Sequence, residues 1–394
     1  MLVGRAYRCQ CGQPVFFRNS ACLNCGTALG YDSALARLIP LAPAPTAGQW
    51  TPAPSLEADA PPQASSVYTR CANLTTPAAC NWLIDVTQAQ TEAPLLLCQA
   101  CRLNRTIPDL NDANHPDNGL LWGRIELAKR RLFSSLLALG LPVASLTEDP
   151  LRGMAFDLLR SPEGGPPVMT GHKAGVITLN VLEADDAVRE AIRSAMREPY
   201  RTLLGHFRHE TGHYYWDRLV QGTDWMDGFR SLFGDETQDY AACLQKNYLQ
   251  GPPPQWWLHY VSAYASTHPW EDWAECWAHY LHMRDTLDTA LSLGLPTDSA
   301  HLEFFTAFTL DALYQPDHPG AQQFLDFLNN WMRLTTLLNE MSRSMGQPDF
   351  YPFVLPREVV AKLHFIHLLV TTGAGLPPSL DAQNAGQSQL QNAI

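Results

Sequence analysis

Residues 199–220 read PYRTLLGHFRHETGHYYWDRLV. Apolar residues at Leu203, Leu204 and Phe207, a proline at the opening and Gly222 just past the end predict a buried helix. On that helix His209 and His213 fall one turn apart on the same face, so their imidazoles can share one Zn²⁺. Glu210, beside the first of them, is placed to act as general base on a zinc-bound water. The metal supplies acidity by lowering the pKa of that water to roughly 7.

A catalytic zinc needs a third protein ligand and one position left for water. Residues 263–283, AYASTHPWEDWAECWAHYLHM, offer Glu271, Asp272 and Glu275 within about one helical turn. Trp270, Trp273, Trp277 and Tyr280 mark the segment as largely buried, and small Ala274 and Ala278 allow a close helix–helix approach. Buried carboxylates need a partner, and a cation is a natural one. Glu271 is the expected ligand, with Glu275 orienting a ligating histidine through its other ring nitrogen, although spacing alone leaves their roles exchangeable. His268, His279 and His282 are competing ligands, more simply read as core or surface groups.

Eight of the ten cysteines lie between Cys9 and Cys101, while Cys243 and Cys276 stand alone. Cys9, Cys11, Cys22 and Cys25 form a C-x-C, C-x-x-C array with Gly12 and Gly26 after each pair, a spacing that closes a tetrahedral structural zinc site. Cys71, Cys80, Cys98 and Cys101 are a second set ending in C-x-x-C, and crossed pairing between the sets is open. Composition divides the chain into a zinc ribbon at 1–37, an Ala/Pro-rich linker at 38–66 and a second cysteine segment at 67–110. A main domain follows at 117–375, with a disordered tail at 376–394.

The main domain opens with LLWGRIELAKRRLFSSLLALG, which has helical periodicity. Strands are expected over 154–159 and 175–182. Helices are expected over 185–196, 199–220, 237–249, 270–283, 300–314, 322–340 and 357–369. The fold class that follows is α+β, mainly α-helical. A net charge of −12 argues against nucleic acid as the main partner. No run of eighteen apolar residues appears, and the first residues lack a signal core, so a cytoplasmic protein without a membrane partner is expected.

The spacing Glu271, Ala274, Trp277, Ala278 resembles the glutamate-ligand helix of gluzincin metallopeptidases. The cysteine array at 9–25, GHFRHETGHYYWDRL, SAYASTHPWEDWAECWAHYLH and the later RSMGQPDFYPF together resemble the bacterial family of zinc-binding metallopeptidases with an N-terminal zinc ribbon. The active-site segments also look like the protease domain of anthrax lethal factor, in which a catalytic tyrosine precedes the glutamate ligand by seven residues. That resemblance implies Tyr264 as a hydrogen-bond donor to the developing oxyanion. The gluzincin resemblance further implies that substrate lies along an edge strand above the zinc, expected at 175–181.

The expected function is hydrolysis of a peptide or isopeptide bond by one catalytic zinc, with one or two structural zincs in the cysteine regions. The partners are a peptide or protein substrate and a protein that binds the ribbon. An amidohydrolase acting on a small peptide conjugate and a non-catalytic zinc scaffold are the alternatives. A scaffold would fill all four coordination positions with side chains, whereas an enzyme would leave one to water.

Overall fold

The computed structural model describes residues 4–54, 66–87, 95–295 and 306–372. The expected tail at 376–394 and the start of the expected helix at 300–314 lie outside them.

The N-terminal part begins with a hairpin of β1 (Tyr7–Arg8) and β2 (Pro14–Val15), whose turn carries Cys9 and Cys11. Gly12 closes that turn at φ 81°, its N–H bonded to the Cys9 carbonyl, a left-handed conformation that favours glycine. Next comes an antiparallel sheet of β3 (Ala28–Asp32), β4 (Arg37–Pro43), β5 (Gln49–Pro52), β6 (Tyr68–Arg70) and β7 (Leu83–Asp85), in sequence order.

This corrects the expected linker at 38–66, because its first half supplies two inner strands. Leu38, Ile39 and Leu41 are buried on β4. Pro40 lacks only a donor, and its carbonyl still accepts from the Ala53 N–H at 2.9 Å. A parallel bridge between Tyr31 and Trp82 returns β7 to β3, so the sheet curls on itself. Gly30 permits this approach, since a Cβ there would sit 2.4 Å from the Leu83 side chain.

The second cysteine segment is shared between the two halves. Cys71 and Cys80 lie between β6 and β7, whereas Cys101 leads into β8 (Asn104–Thr106), the outer strand of a different sheet. Next in the chain come α1 (Asn118–Ala138), β9 (Ala155–Leu159), β10 (Gly171–Lys173) and β11 (Val176–Asn180). The second sheet has the order β10-β11-β9-β8, parallel at β8/β9 and β9/β11, antiparallel at β10/β11. The strand expected to offer an open edge, β11, is therefore internal, and β10 is the edge beside it.

The remaining elements are α2 (Asp186–Ala195), α3 (Leu203–Leu219), α4 (Met226–Phe233), α5 (Tyr240–Gln250), α6 (Pro269–Ser292), α7 (Ala321–Ser344) and α8 (Arg357–Thr372). The chain is thus α+β and mainly helical. Residues 306–314, expected to be helical, contain only a short 3₁₀ turn, because the N–H and C=O of Phe308 are taken by the Asn329 side chain. One hydrophobic core runs from Tyr7 and Trp82 through Trp122, Phe156 and Trp273 to Phe365, so ribbon and helices are packed together. Asp285 on α6 reinforces the join by binding Arg5, Arg131 of α1 and Arg208 of α3. Burial alone would raise its pKa, but the three guanidiniums hold it far below the usual carboxylate range. No helix among the described residues is long and apolar enough to cross a membrane.

Candidate active site

Helix α3 begins at Leu203 rather than at Pro199, because the Thr202 hydroxyl caps it by accepting the Gly205 N–H at 2.9 Å. Its inner face packs on α6 so closely that a Cβ on Gly212 would stand 2.9 Å from the Ala274 Cα. The Trp273 indole N–H donates to the Gly212 carbonyl at 2.8 Å and fixes the crossing. One crossing point therefore sets how far apart the histidines of α3 and the acids of α6 lie.

Across that crossing, one donor atom from each of His209, His213 and Glu271 lies within 4.8 Å of the others. His209 Nε2 is 3.0 Å from Glu271 Oε2, and His213 Nε2 is 3.6 Å from Glu271 Oε1. Zinc bonds of 2.0–2.2 Å in tetrahedral array imply ligand separations of roughly 3.4 Å, which these distances bracket. Glu271 Oε2 is buried and has no aligned hydrogen bond among the described residues, as expected of an oxygen and a nitrogen turned toward a common cation. Donor types, spacing and this orphaned oxygen all fit zinc.

Glu275 lies on the other side of His209, Oε1 to Nδ1 at 2.7 Å, and accepts from the Ser262 hydroxyl at 2.7 Å through Oε2. Burial would push the His209 imidazole down, but the carboxylates of Glu271 and Glu275 outweigh it and raise its pKa well above the ordinary value. Burial likewise works to raise Glu271, where the charges of His213 and His209 prevail and hold it low. Glu210 is buried and its pKa is raised, by burial first, with the two histidines opposing.

Asp272, the third acid of the segment, points elsewhere and pairs with Lys362 of α8 at 2.6 Å. The competing histidines are also occupied elsewhere. His268 caps α6 by accepting the Trp270 N–H, His279 contacts the Tyr351 hydroxyl at 2.6 Å, and His282 contacts Arg208. Tyr264 sits in the 3₁₀ turn before α6, its ring centroid 6.0 Å from that of His209. Burial raises its pKa, and Glu271 and Tyr240 add to the effect.

Two contacts were not anticipated. Tyr240, first residue of α5, donates to Glu271 Oε1 at 2.6 Å, and the Trp270 ring lies 3.9 Å from that of His213. The only local mark on Tyr240 is Asp239 capping its helix. Trp270 was legible merely as a buried aromatic.

The eight N-terminal cysteines gather into two separate sets of four, Cys9, Cys11, Cys22, Cys25 and Cys71, Cys80, Cys98, Cys101. Sulfur separations of 3.5, 3.7 and 3.6 Å are close to the roughly 3.8 Å of a tetrahedral zinc thiolate site. No crossed pairing is needed. The second set is buried entirely, whereas Cys11 and Cys25 of the first are exposed.

Comparison with known proteins agrees with this geometry. Residues 118–369 match the model of the putative zinc-binding metallo-peptidase family. The chain belongs to that family. Residues 6–112 match a zinc-ribbon domain, a span that takes in both cysteine sets and the strands of the expected linker. Uncharacterized proteins of Mycobacterium bovis and Mycobacterium tuberculosis are 43% identical over 369 residues, covering 93% of this chain and 95% of theirs. No solved structure matches.

Proposed function

We propose that this family member hydrolyses a peptide or isopeptide bond with one zinc held by His209, His213 and Glu271, in the manner of gluzincins. The supporting observation is the convergence of two imidazole nitrogens and a buried carboxylate within 4.8 Å, beside a buried Glu210. When bound, zinc supplies Lewis acidity toward a carbonyl and toward water. Glu210 takes a proton from the attacking water and passes it to the leaving amine, a task suited to a carboxyl whose pKa burial has raised. Glu275 holds His209 in the orientation that presents Nε2 to the metal. Tyr264 donates a hydrogen bond to the oxygen on which charge develops. A substrate strand pairs with the open edge of β10, whose His172 ring lies 6.4 Å from that of Trp270. Each cysteine set holds a structural zinc, and the more exposed first set is the surface that meets a protein partner.

Glu210→Gln tests the reading. The variant should bind the same amount of zinc as the wild type by metal analysis and lose turnover of peptides by a factor of about 10² or more. Full turnover in the variant would remove Glu210 from the reaction and favour a non-catalytic scaffold.

A further inference from the structure

Beside the metal cluster lies a cavity of about 690 Å³, within the roughly 300–1,000 Å³ typical of small-ligand sites. Two of its walls also touch the cluster. Trp270 lies against the His213 ring, and Tyr240 hydrogen-bonds Glu271. The other walls include Trp216 from the end of α3 and Met226 from the start of α4. Arg230 and Glu236 at its border bind each other at 2.9 and 2.5 Å, so their charges cancel.

We propose that this cavity is the specificity pocket of the enzyme, receiving a bulky uncharged substrate side chain such as Phe, Leu or Met next to the bond that is cut. Its apolar, aromatic walls suit such a side chain, and the cancelled border charges select against an ionised residue. This inference rests on the peptidase reading above.

The test uses the full-length, zinc-loaded protein and two measurements. A randomised peptide library, analysed by mass spectrometry, should show Phe, Leu and Met preferred over Gly, Asp and Lys by about tenfold or more at one position flanking the cut. Met226→Trp and Thr237→Trp, each at a position that lines the cavity, should move that preference to Ala and Gly. In parallel, N-acetyl-phenylalaninamide is titrated by calorimetry into the Glu210→Gln protein, alone and combined with either cavity substitution. Binding weakened about tenfold or more by both tryptophans supports the pocket. If binding behaves so while no library peptide is cut, the pocket stands and the peptidase reading fails. Unchanged preference and unchanged binding in both tryptophan variants, or no binding at all, overturns the proposal even where peptides are cleaved.

Discussion

Gly212→Ala is the substitution that most directly tests how the fold builds the metal cluster. The new Cβ would lie 2.9 Å from the Ala274 Cα and 3.3 Å from both its Cβ and its carbonyl oxygen. Carbon atoms in contact prefer about 3.5–4.0 Å, so α3 and α6 must part by roughly half an ångström to one ångström at that point. Overpacking of this kind costs about 1–3 kcal/mol. Replacing a helical glycine by alanine returns about 1 kcal/mol, so the net loss of stability is about 0–2 kcal/mol. The effect on ligation is larger. His213 follows Gly212 directly and Glu271 lies one turn before Ala274, whereas metal bond lengths tolerate only about 0.2 Å. Zinc affinity at the His209, His213, Glu271 cluster should fall by about tenfold or more. Full-length wild type and variant, equilibrated with a graded chelator and analysed by native mass spectrometry, should differ by one zinc per chain while the cysteine-bound zinc stays. Equal retention of all zinc would refute the idea that the Gly212–Ala274 contact sets the ligand spacing.

Glu275→Gln should leave the fold intact and weaken zinc binding or activity by about 10–100-fold, because Gln is a poorer acceptor for the His209 ring N–H; metal titration and peptide kinetics read both. Asp285→Ala leaves Arg5, Arg131 and Arg208 facing one another without their common anion, and denaturant unfolding should show a loss of about 3–5 kcal/mol. His364 and His367 have their pKa values lowered to about 4, by burial first, with charges on neighbouring His318 and, for His367, Arg284 and His364 adding to it. Both are neutral in folded and unfolded chains above the ordinary 6.5. As pH falls from 6.5 toward 4, only the unfolded chain takes up these protons, so stability is lost over that window. The melting-temperature gap between wild type and His364→Gln/His367→Gln should therefore shift in favour of the variant as pH falls, and a gap constant from pH 7 to 4.5 would contradict it.

What sequence alone determined about this protein is the chemistry that depends on short-range spacing. An i, i+4 pair of histidines must share a helical face, Glu271 and Glu275 must lie on one side of α6, and C-x-C and C-x-x-C pairs must bring thiols together, whatever surrounds them. Helix periodicity likewise revealed α1, α7 and α8. Tertiary structure decided what depends on partners distant in the chain. It separated Glu271, turned to the histidines, from Glu275 behind His209 and from Asp272, drawn off by Lys362 of α8. It brought Tyr240 to Glu271 across a sequence separation of 31 residues. It also made strands of the proline-rich residues that composition reads as a linker, because burial of Leu38, Ile39 and Leu41 against other strands outweighs weak local propensity. A ligand pair follows from the geometry of one helix; a site, its walls and its register follow from which surfaces the whole chain buries together.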